Sequence, residues 1–267
     1  MKELTHQEEI YILQYLIEHQ DLFKDAGCAR MVFSCDDDLA SKLGIYDATN
    51  KYVIKIAMGA GGIEQLKAEV SLWLEYGDDG YLARVVAAGR FIEIMEYVDC
   101  WDFTDEADCG FDDCDYEDLK DLILENNPDT LEEYDASCIA DTILFLQRQF
   151  GETSDNGQLG KTLHGYWVAY DYGFDRGKGR DSQTSDLSDY IYRDEVRERY
   201  LRGLIVLLNQ EDEFMDEWEK ELLNQIQRED SGEDEEEEEN ETEYYGDWPD
   251  TQDIERDLEV DEDDTQD

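Results

Sequence analysis

Positions 51–76 read KYVIKIAMGAGGIEQLKAEVSLWLEY, and this stretch decides the fold. Its first eight residues alternate and are rich in β-branched side chains, which predicts a strand with Lys55 in its interior. Three closely spaced glycines then break the strand. Leu66, Val70 and Trp73 recur on one face at helical spacing, which predicts a helix over positions 63–76. The chain is therefore expected to build a strand–turn–helix unit here.

Lys55 is the first candidate functional residue, because a lysine inside a strand is costly to bury unless its ammonium has a partner. The following helix offers Glu64 and Glu69, which are five residues apart and so point to different faces. Glu69 precedes the apolar Val70 and should face inward more readily. We predict a Lys55–Glu69 ion pair. The alternative is an edge-strand lysine whose tip reaches solvent.

Elements on both sides of this unit indicate an α+β chain. An amphipathic helix is predicted at 4–20, a short strand at 31–35, and two strands at 82–88 and 90–98 joined by a tight turn at Gly89. Helices are predicted at 116–125, 131–150, 193–209 and 211–228, with a strand at 166–170 and loops at 151–163 and 176–185. We expect a small antiparallel-sheet lobe at 1–99, a helical lobe at 100–228 and a tail at 229–267.

Asp171 is the second candidate, because it ends the apolar run YWVAYD and is followed by Tyr172 and Gly173. A carboxylate at the carboxyl end of a strand, turned by a glycine, is a common way to present a metal ligand. A plain strand-to-turn exit would use the same residues.

Together these motifs resemble a protein-kinase-like protein, similar to the minimal kinase-like chains of microbes and phages that carry D-Y-G where most kinases have D-F-G. The resemblance covers about positions 25–174. It implies a bilobal fold and the cofactors ATP and Mg²⁺. It also implies that Lys55 contacts nucleotide phosphates, that Glu69 orients Lys55 and that Asp171 holds Mg²⁺.

The resemblance assigns further roles to loops. Positions 95–98, with Glu96 and Tyr97, would form the hinge against the adenine ring. Gly27 would lie in the phosphate-covering loop, which has one glycine here rather than the full G-x-G-x-x-G.

The catalytic loop departs from the family pattern of an Asp base followed by an Asn metal ligand. Counting back from Asp171 places Gln158 at the position of the Asn ligand and Thr153 at the position of the Asp base. Gln158 could ligate metal through its amide oxygen, whereas Thr153 cannot act as a base. Asp155, in the same loop, would be the base in a shifted register.

The resemblance thus predicts an ATP- and Mg²⁺-binding protein that transfers phosphate to a protein or a small molecule. Two alternatives remain at this point. One is a catalytically inert pseudokinase. The other is an acidic, DNA-mimicking protein that binds a basic protein partner.

The charge is strongly negative: 73 acidic residues stand against 22 basic ones, for a formal net charge of −51. Positions 229–267 hold 22 acids and one base, so this tail is a polyanion, and the body is also acidic. Such a charge disfavours binding to nucleic acids and to anionic membranes. Three explanations of this negative charge remain open: a surface adapted to high salt, a surface that imitates DNA, and an acidic tail on an ordinary body. The tail has too little apolar surface to fold and is predicted to be disordered.

The amino terminus has no signal-peptide pattern, and no apolar run is long enough to span a membrane. We therefore expect a cytoplasmic, reducing location and six free cysteines. A zinc site near Cys100, Cys109 and Cys114 is conceivable, but it lacks both CxxC spacing and a nearby histidine.

Overall fold

The computed structural model describes residues 1–27, 29–101, 115–126, 131–150, 159–170, 172, 187–210 and 215–231. The chain divides into two compact units, Met1–Asn224 and Gln225–Asp267. In the second unit the described residues are 225–231, which are the last turns of the helix Met215–Ser231. Most of the tail predicted to be disordered therefore lies outside the described residues, and the predicted boundaries at 99 and 228 stay predictions.

A six-stranded sheet forms the first part of the chain, in the order β1-β5-β6-β4-β3-β2. Its strands are β1 (Lys2–Glu3), β2 (Phe23–Ala26), β3 (Arg30–Cys35), β4 (Tyr52–Ala57), β5 (Val85–Ala88) and β6 (Ile92–Glu96). All neighbours are antiparallel except β1 and β5, which run parallel. The α+β class is confirmed. The prediction of a purely antiparallel sheet is wrong, because the first residues of the chain add a parallel edge.

Seven α-helices are present among the described residues, and two short 3₁₀ helices, Gln20–Leu22 and Gly77–Asp79, accompany them. They are α1 (His6–Glu18), α2 (Asp37–Lys42), α3 (Gly59–Tyr76), α4 (Tyr116–Asn126), α5 (Glu133–Phe150), α6 (Asp194–Gln210) and α7 (Met215–Ser231). The six predicted helices are confirmed with shifted ends, and α2, capped by the Asp36 side chain, is additional. None of the helices described is long and apolar enough to cross a membrane.

α3 begins at Gly59, so the glycines that were expected to form a break make its first turn. The helix starts directly against the backbone of β3 and β4. A Cβ atom on Gly62 would lie 2.3 Å from the Ala29 carbonyl oxygen and 3.1 Å from the Ala57 Cα. Glycine at this position therefore lets α3 pack close to the sheet.

A three-stranded antiparallel sheet follows, in the order β7-β8-β9. Its strands are β7 (Val98–Trp101), β8 (Leu159–Thr162) and β9 (Trp167–Ala169). The prediction of a loop over 151–163 is wrong for β8, whose Gly160 lies so close to β7 that a Cβ atom would be 2.4 Å from the Asp99 carbonyl. The end of β9 lies beside the segment that leads into β5, because the Ala83 amide donates to the Ala169 carbonyl at 2.8 Å.

One hydrophobic core joins these elements. It contains side chains from the β5–β6 hairpin, from α4 and α5, and from β8 and β9, among them Val85, Met95, Ile143, Leu159 and Tyr172. The residues of β9 and the Tyr172 side chain therefore pack beside the first sheet.

α6 packs against α1. Arg197 on α6 takes part in this packing and is almost fully buried. Its Nε donates to the Gln20 side chain at 2.7 Å, and its guanidinium lies 4.0 Å from the centre of the Phe23 ring. These contacts satisfy a buried charge and fix α6 to the amino-terminal part of the chain.

Candidate functional site

Lys55 lies on β4, in the middle of the six-stranded sheet. Val32 on β3 and Glu93 on β6 are its direct neighbours across the strands. Lys55 is only 5% exposed. The alternative of an edge-strand lysine with its tip in solvent is therefore wrong, and the ammonium needs acceptors inside the protein.

Glu69 on α3 supplies two of these acceptors. Lys55 Nζ lies 2.9 Å from Glu69 Oε1 and 3.0 Å from Oε2, and the Glu69 side chain is fully buried. The predicted Lys55–Glu69 pair is confirmed. The third acceptor is the backbone carbonyl of Tyr170, at 2.7 Å from Nζ.

Arg30 is a second cation on the same carboxylate, and it was not predicted from the sequence. Its Nη1 donates to Glu69 Oε2 at 2.6 Å, and its side chain is also buried. The amide of Tyr172 donates to Glu69 Oε1 at 3.1 Å. Burial alone would raise the pKa of Glu69, but the charges of Arg30 and Lys55 outweigh it and hold that pKa at about 2. Glu69 is therefore ionised, and both of its carboxylate oxygens accept hydrogen bonds.

Glu93 is the other residue of this cluster that was not predicted from the sequence. It is fully buried next to Lys55 on β6. Within the part of the chain that the structure describes, no donor reaches either of its carboxyl oxygens. Burial, followed by the negative charge of Glu69, raises the pKa of Glu93 well above its usual value. The sequence feature that could have predicted Glu93 as a buried acid is its position inside the apolar run FIEIM at 91–95.

The residues around Asp171 reach this cluster, although Asp171 itself and Gly173 lie outside the described residues. Tyr170 accepts from Lys55, and Tyr172 donates to Glu69. The Tyr172 phenol donates to the Ala83 carbonyl at 3.0 Å and is buried, which raises its pKa. Both neighbours of Asp171 in the sequence are thus bonded to the Lys55–Glu69 pair.

The other predicted binding residues make different contacts. The amide of Gly27 donates to the Arg30 carbonyl at 2.9 Å, which closes the turn between β2 and β3. Glu96 is the last residue of β6, and Tyr97 follows it. The amide of Glu96 donates to the Arg84 carbonyl, and that of Tyr97 donates to the Lys51 carbonyl. The Glu96 side chain accepts from the Arg84 amide at 2.7 Å. The backbone amides of Glu96 and Tyr97 are therefore already hydrogen-bonded within the protein.

The predicted catalytic base and metal ligands, Asp155, Gln158 and Asp171, all fall outside the described residues. Among the residues that are described, no cluster of three His, Cys, Asp or Glu side chains could hold a metal ion. Cys35, Cys100 and Cys138 are free thiols. The other two members of the conceivable zinc site also lie outside the described part.

No protein-family model and no curated protein matches this chain. The assignment of function therefore depends on the residues of the site itself.

Proposed function

We propose that the chain is a kinase-like protein that binds ATP with Mg²⁺ and uses Lys55 to contact the nucleotide phosphates. One observation carries this proposal: Lys55 is bonded both to Glu69 and to the Tyr170 carbonyl, one residue before Asp171. A nucleotide site needs a cation for the phosphates and a group that holds the cation in place. Lys55 and Glu69 provide these two parts.

The order of the elements supports the proposal. A strand with Lys55 is followed by a helix with Glu69, the β5–β6 hairpin, β7, two helices, and the strands β8 and β9, which lead to the Asp-Tyr-Gly sequence. This order contains the motifs on which the resemblance to protein-kinase-like proteins rests.

Nucleotide binding to Lys55 must exchange at least one existing bond. An ammonium has three N–H groups, and in this structure Glu69 and the Tyr170 carbonyl already accept them. The Tyr170 carbonyl is the acceptor that can be replaced at lower cost, because it is neutral and Glu69 is charged. We therefore expect the segment around Tyr170 to move when a nucleotide binds.

Phosphoryl transfer is the second part of the proposal. Asp171 and Gln158 would hold Mg²⁺, which neutralises charge on the phosphates, and Asp155 would accept the proton of the substrate hydroxyl. The substrate is a protein or a small molecule.

A thermal-shift titration with ATP and Mg²⁺ tests nucleotide binding. A ligand at 100 times its Kd stabilises the protein by about 2.7 kcal/mol, so the melting temperature should rise measurably. Lys55→Gln and Asp171→Ala should each weaken binding by tenfold or more. Lys67→Gln is the matched control, since Lys67 is an exposed lysine of α3. Equal titration curves for the three variants and the wild-type protein would contradict the proposal.

A transfer assay separates an active kinase from a pseudokinase. The protein is incubated with γ-labelled ATP and Mg²⁺ at low and at high salt, alone and with a cell lysate. Transfer that is lost in Asp155→Ala supports catalysis. Nucleotide binding without transfer in any condition identifies a pseudokinase.

A second candidate function rests on the net charge of −51. A polyanionic surface would bind a basic partner that normally contacts DNA, and added salt would weaken the complex. Capture of polylysine at low salt should then persist in Lys55→Gln. It should decrease in a chain that ends at Arg228, which lacks the tail. Unchanged capture by the shortened chain, and by variants that lose acids of the body, would exclude this function.

A further inference from the structure

Glu69 and Glu93 place two buried carboxyl groups side by side. Glu69 comes from α3, and Glu93 comes from β6, directly across from Lys55. Both side chains are fully buried beside Lys55: its ammonium bonds to Glu69, and Glu93 is its direct neighbour across the strands, so the two carboxyl groups lie close together. Two ionised carboxylates in such contact repel each other, and neither can donate. The contact is favourable only when one of the groups carries a proton.

The donors around the two groups decide which one holds the proton. Glu69 accepts from the ammonium of Lys55, the guanidinium of Arg30 and the amide of Tyr172. For Glu93, the described residues provide no donor to either oxygen. Charge-assisted bonds stabilise the ionised form of Glu69, whereas burial without a donor favours the neutral form of Glu93.

We propose that Glu93 is a positioning residue that stays protonated at neutral pH and donates its carboxyl proton to Glu69, which holds Glu69 against Lys55 and Arg30. The charged and titratable groups that act on Glu93 are Lys55 on β4, Arg30 on β3, Glu69 on α3 and the phenol of Tyr172. A carboxylic acid kept neutral by its surroundings, so that it can donate a hydrogen bond, is an established use of a buried acid.

The protonated state changes the charge of the cluster. With Glu93 neutral, one fewer negative charge acts on Lys55 and Arg30 than with Glu93 ionised. The cluster then repels an anionic phosphate less in an otherwise acidic chain. This consequence rests on the proposed function, whereas the protonation of Glu93 does not.

Infrared difference spectroscopy tests the protonation without any nucleotide. The wild-type protein at neutral pH should show the C=O stretch of a protonated carboxylic acid. Glu9 is also a buried acid whose pKa is raised by burial, so the band of Glu93 is measured in Glu9→Gln, where it should persist. Adding Glu93→Gln to this background should remove the band. If the double variant does not fold, the band is measured in Glu9→Gln alone. Absence of the band from folded Glu9→Gln, or its persistence in the folded double variant, overturns the proposal.

Comparison of two variants tests the positioning role. Glu93→Gln keeps a donor for Glu69, because its amide N–H can replace the carboxyl O–H, whereas Glu93→Leu does not. The affinity for ATP with Mg²⁺ should fall by about tenfold in Glu93→Leu and change little in Glu93→Gln. Equal losses in both variants would overturn the positioning role. If the wild-type protein binds no nucleotide, the proposed function fails, and the infrared result still decides the protonation of Glu93.

Discussion

Arg30 on β3 and Glu69 on α3 form a buried ion pair, with 2.6 Å between Nη1 and Oε2. Because Glu69 also bonds to Lys55 on β4, its carboxylate links the helix to two adjacent strands. Removing one partner of a buried pair is strongly destabilising, since it leaves a charge without full compensation. The cluster is therefore expected to hold α3 against the sheet.

Arg30→Met tests this link. We expect the free energy of unfolding in urea to fall by about 3 kcal/mol, because Glu69 loses one of its two charged donors in a buried setting. Lys24→Met is the matched control, since it removes an exposed positive charge from the neighbouring strand β2 and should change stability by less than about 0.5 kcal/mol. Equal effects of the two substitutions would show that net charge, and not the pair, is responsible.

Tyr200 on α6 completes the start of α3. Its hydroxyl accepts from the Gly59 amide at 3.1 Å and donates to the Ala57 carbonyl at 3.2 Å, and the residue is fully buried. Tyr200→Phe leaves both backbone groups without this partner, which should lower the free energy of unfolding by about 1–3 kcal/mol.

Tyr192 provides the comparison for Tyr200. Its hydroxyl donates to the Asp25 carboxylate at 2.6 Å, but the residue is 53% exposed. Water can replace this bond, so Tyr192→Phe should cost less than about 0.5 kcal/mol in urea unfolding. A cost for Tyr200→Phe as small as that for Tyr192→Phe would show that the hydroxyl does not stabilise the start of α3.

Parts of the fold and site follow from local sequence. The strand–helix unit of positions 51–76 was predictable because its alternation and its helical spacing are both visible in the sequence. The Lys55–Glu69 pair followed from one physical rule, that a lysine in a strand interior needs an acceptor. The same rule, applied to the acid in FIEIM, would have found Glu93.

Other parts depend on contacts between distant segments. Arg30 joins the site only because β3 pairs with β4 in a register that brings it to Glu69, and no local pattern reveals that register. β8 reads LGKT, which has little strand propensity, and its pairing with β7 and β9 determines its structure. β1 has two residues, too few for any periodicity.

Gly89 lies against a buried side chain of α1, which gives a further prediction. A Cβ atom on Gly89 would lie 2.4 Å from Glu9 Cδ, and Glu9 Oε1 accepts from the Phe91 amide at 2.8 Å. Glu9 cannot move away without breaking this bond. Gly89→Ala should therefore lower the free energy of unfolding by about 1–3 kcal/mol. Gly27→Ala is the control, since nothing lies within 4 Å of its Cβ position. Similar urea midpoints for both variants would contradict the prediction.

The two carboxyl groups of the cluster predict opposite effects of pH. The pKa of Glu69 is lowered to about 2 from 4.5, so its contribution to stability is present above pH 4.5 and is lost as the pH falls towards 2. The pKa of Glu93 is raised, so its contribution is complete below pH 4.5 and is lost as the pH rises from there through its folded value. Their combined contribution should be largest near pH 4.5.

Urea unfolding of the wild-type protein and Glu93→Gln at several pH values measures the second effect. The stability difference between the two proteins should change by up to about 1.4 kcal/mol per pH unit above pH 4.5, in the direction that disfavours the wild-type protein as the pH rises. The difference cancels the effects of the other acids. A difference that stays constant from pH 4.5 to pH 8 would mean that Glu93 titrates in the folded protein as it does in the unfolded chain.

The net charge of −51 predicts that stability depends on salt. Repulsion among the acids opposes the compact state, and the Debye length falls from about 10 Å at 0.1 M salt to about 3 Å at 1 M. The free energy of unfolding in urea should therefore rise steeply over this range of NaCl concentration. Sucrose at equal osmolality is the control, because it favours burial without screening charge.

A chain that ends at Arg228 separates the tail from the body in this measurement. The tail holds 22 of the 73 acids, so most of the negative charge belongs to the body. If the acidity is an adaptation of the whole surface to salt, the shortened chain should keep most of the salt dependence. If the salt dependence disappears with the tail, the acids of the body do not oppose folding, and the tail alone accounts for the effect.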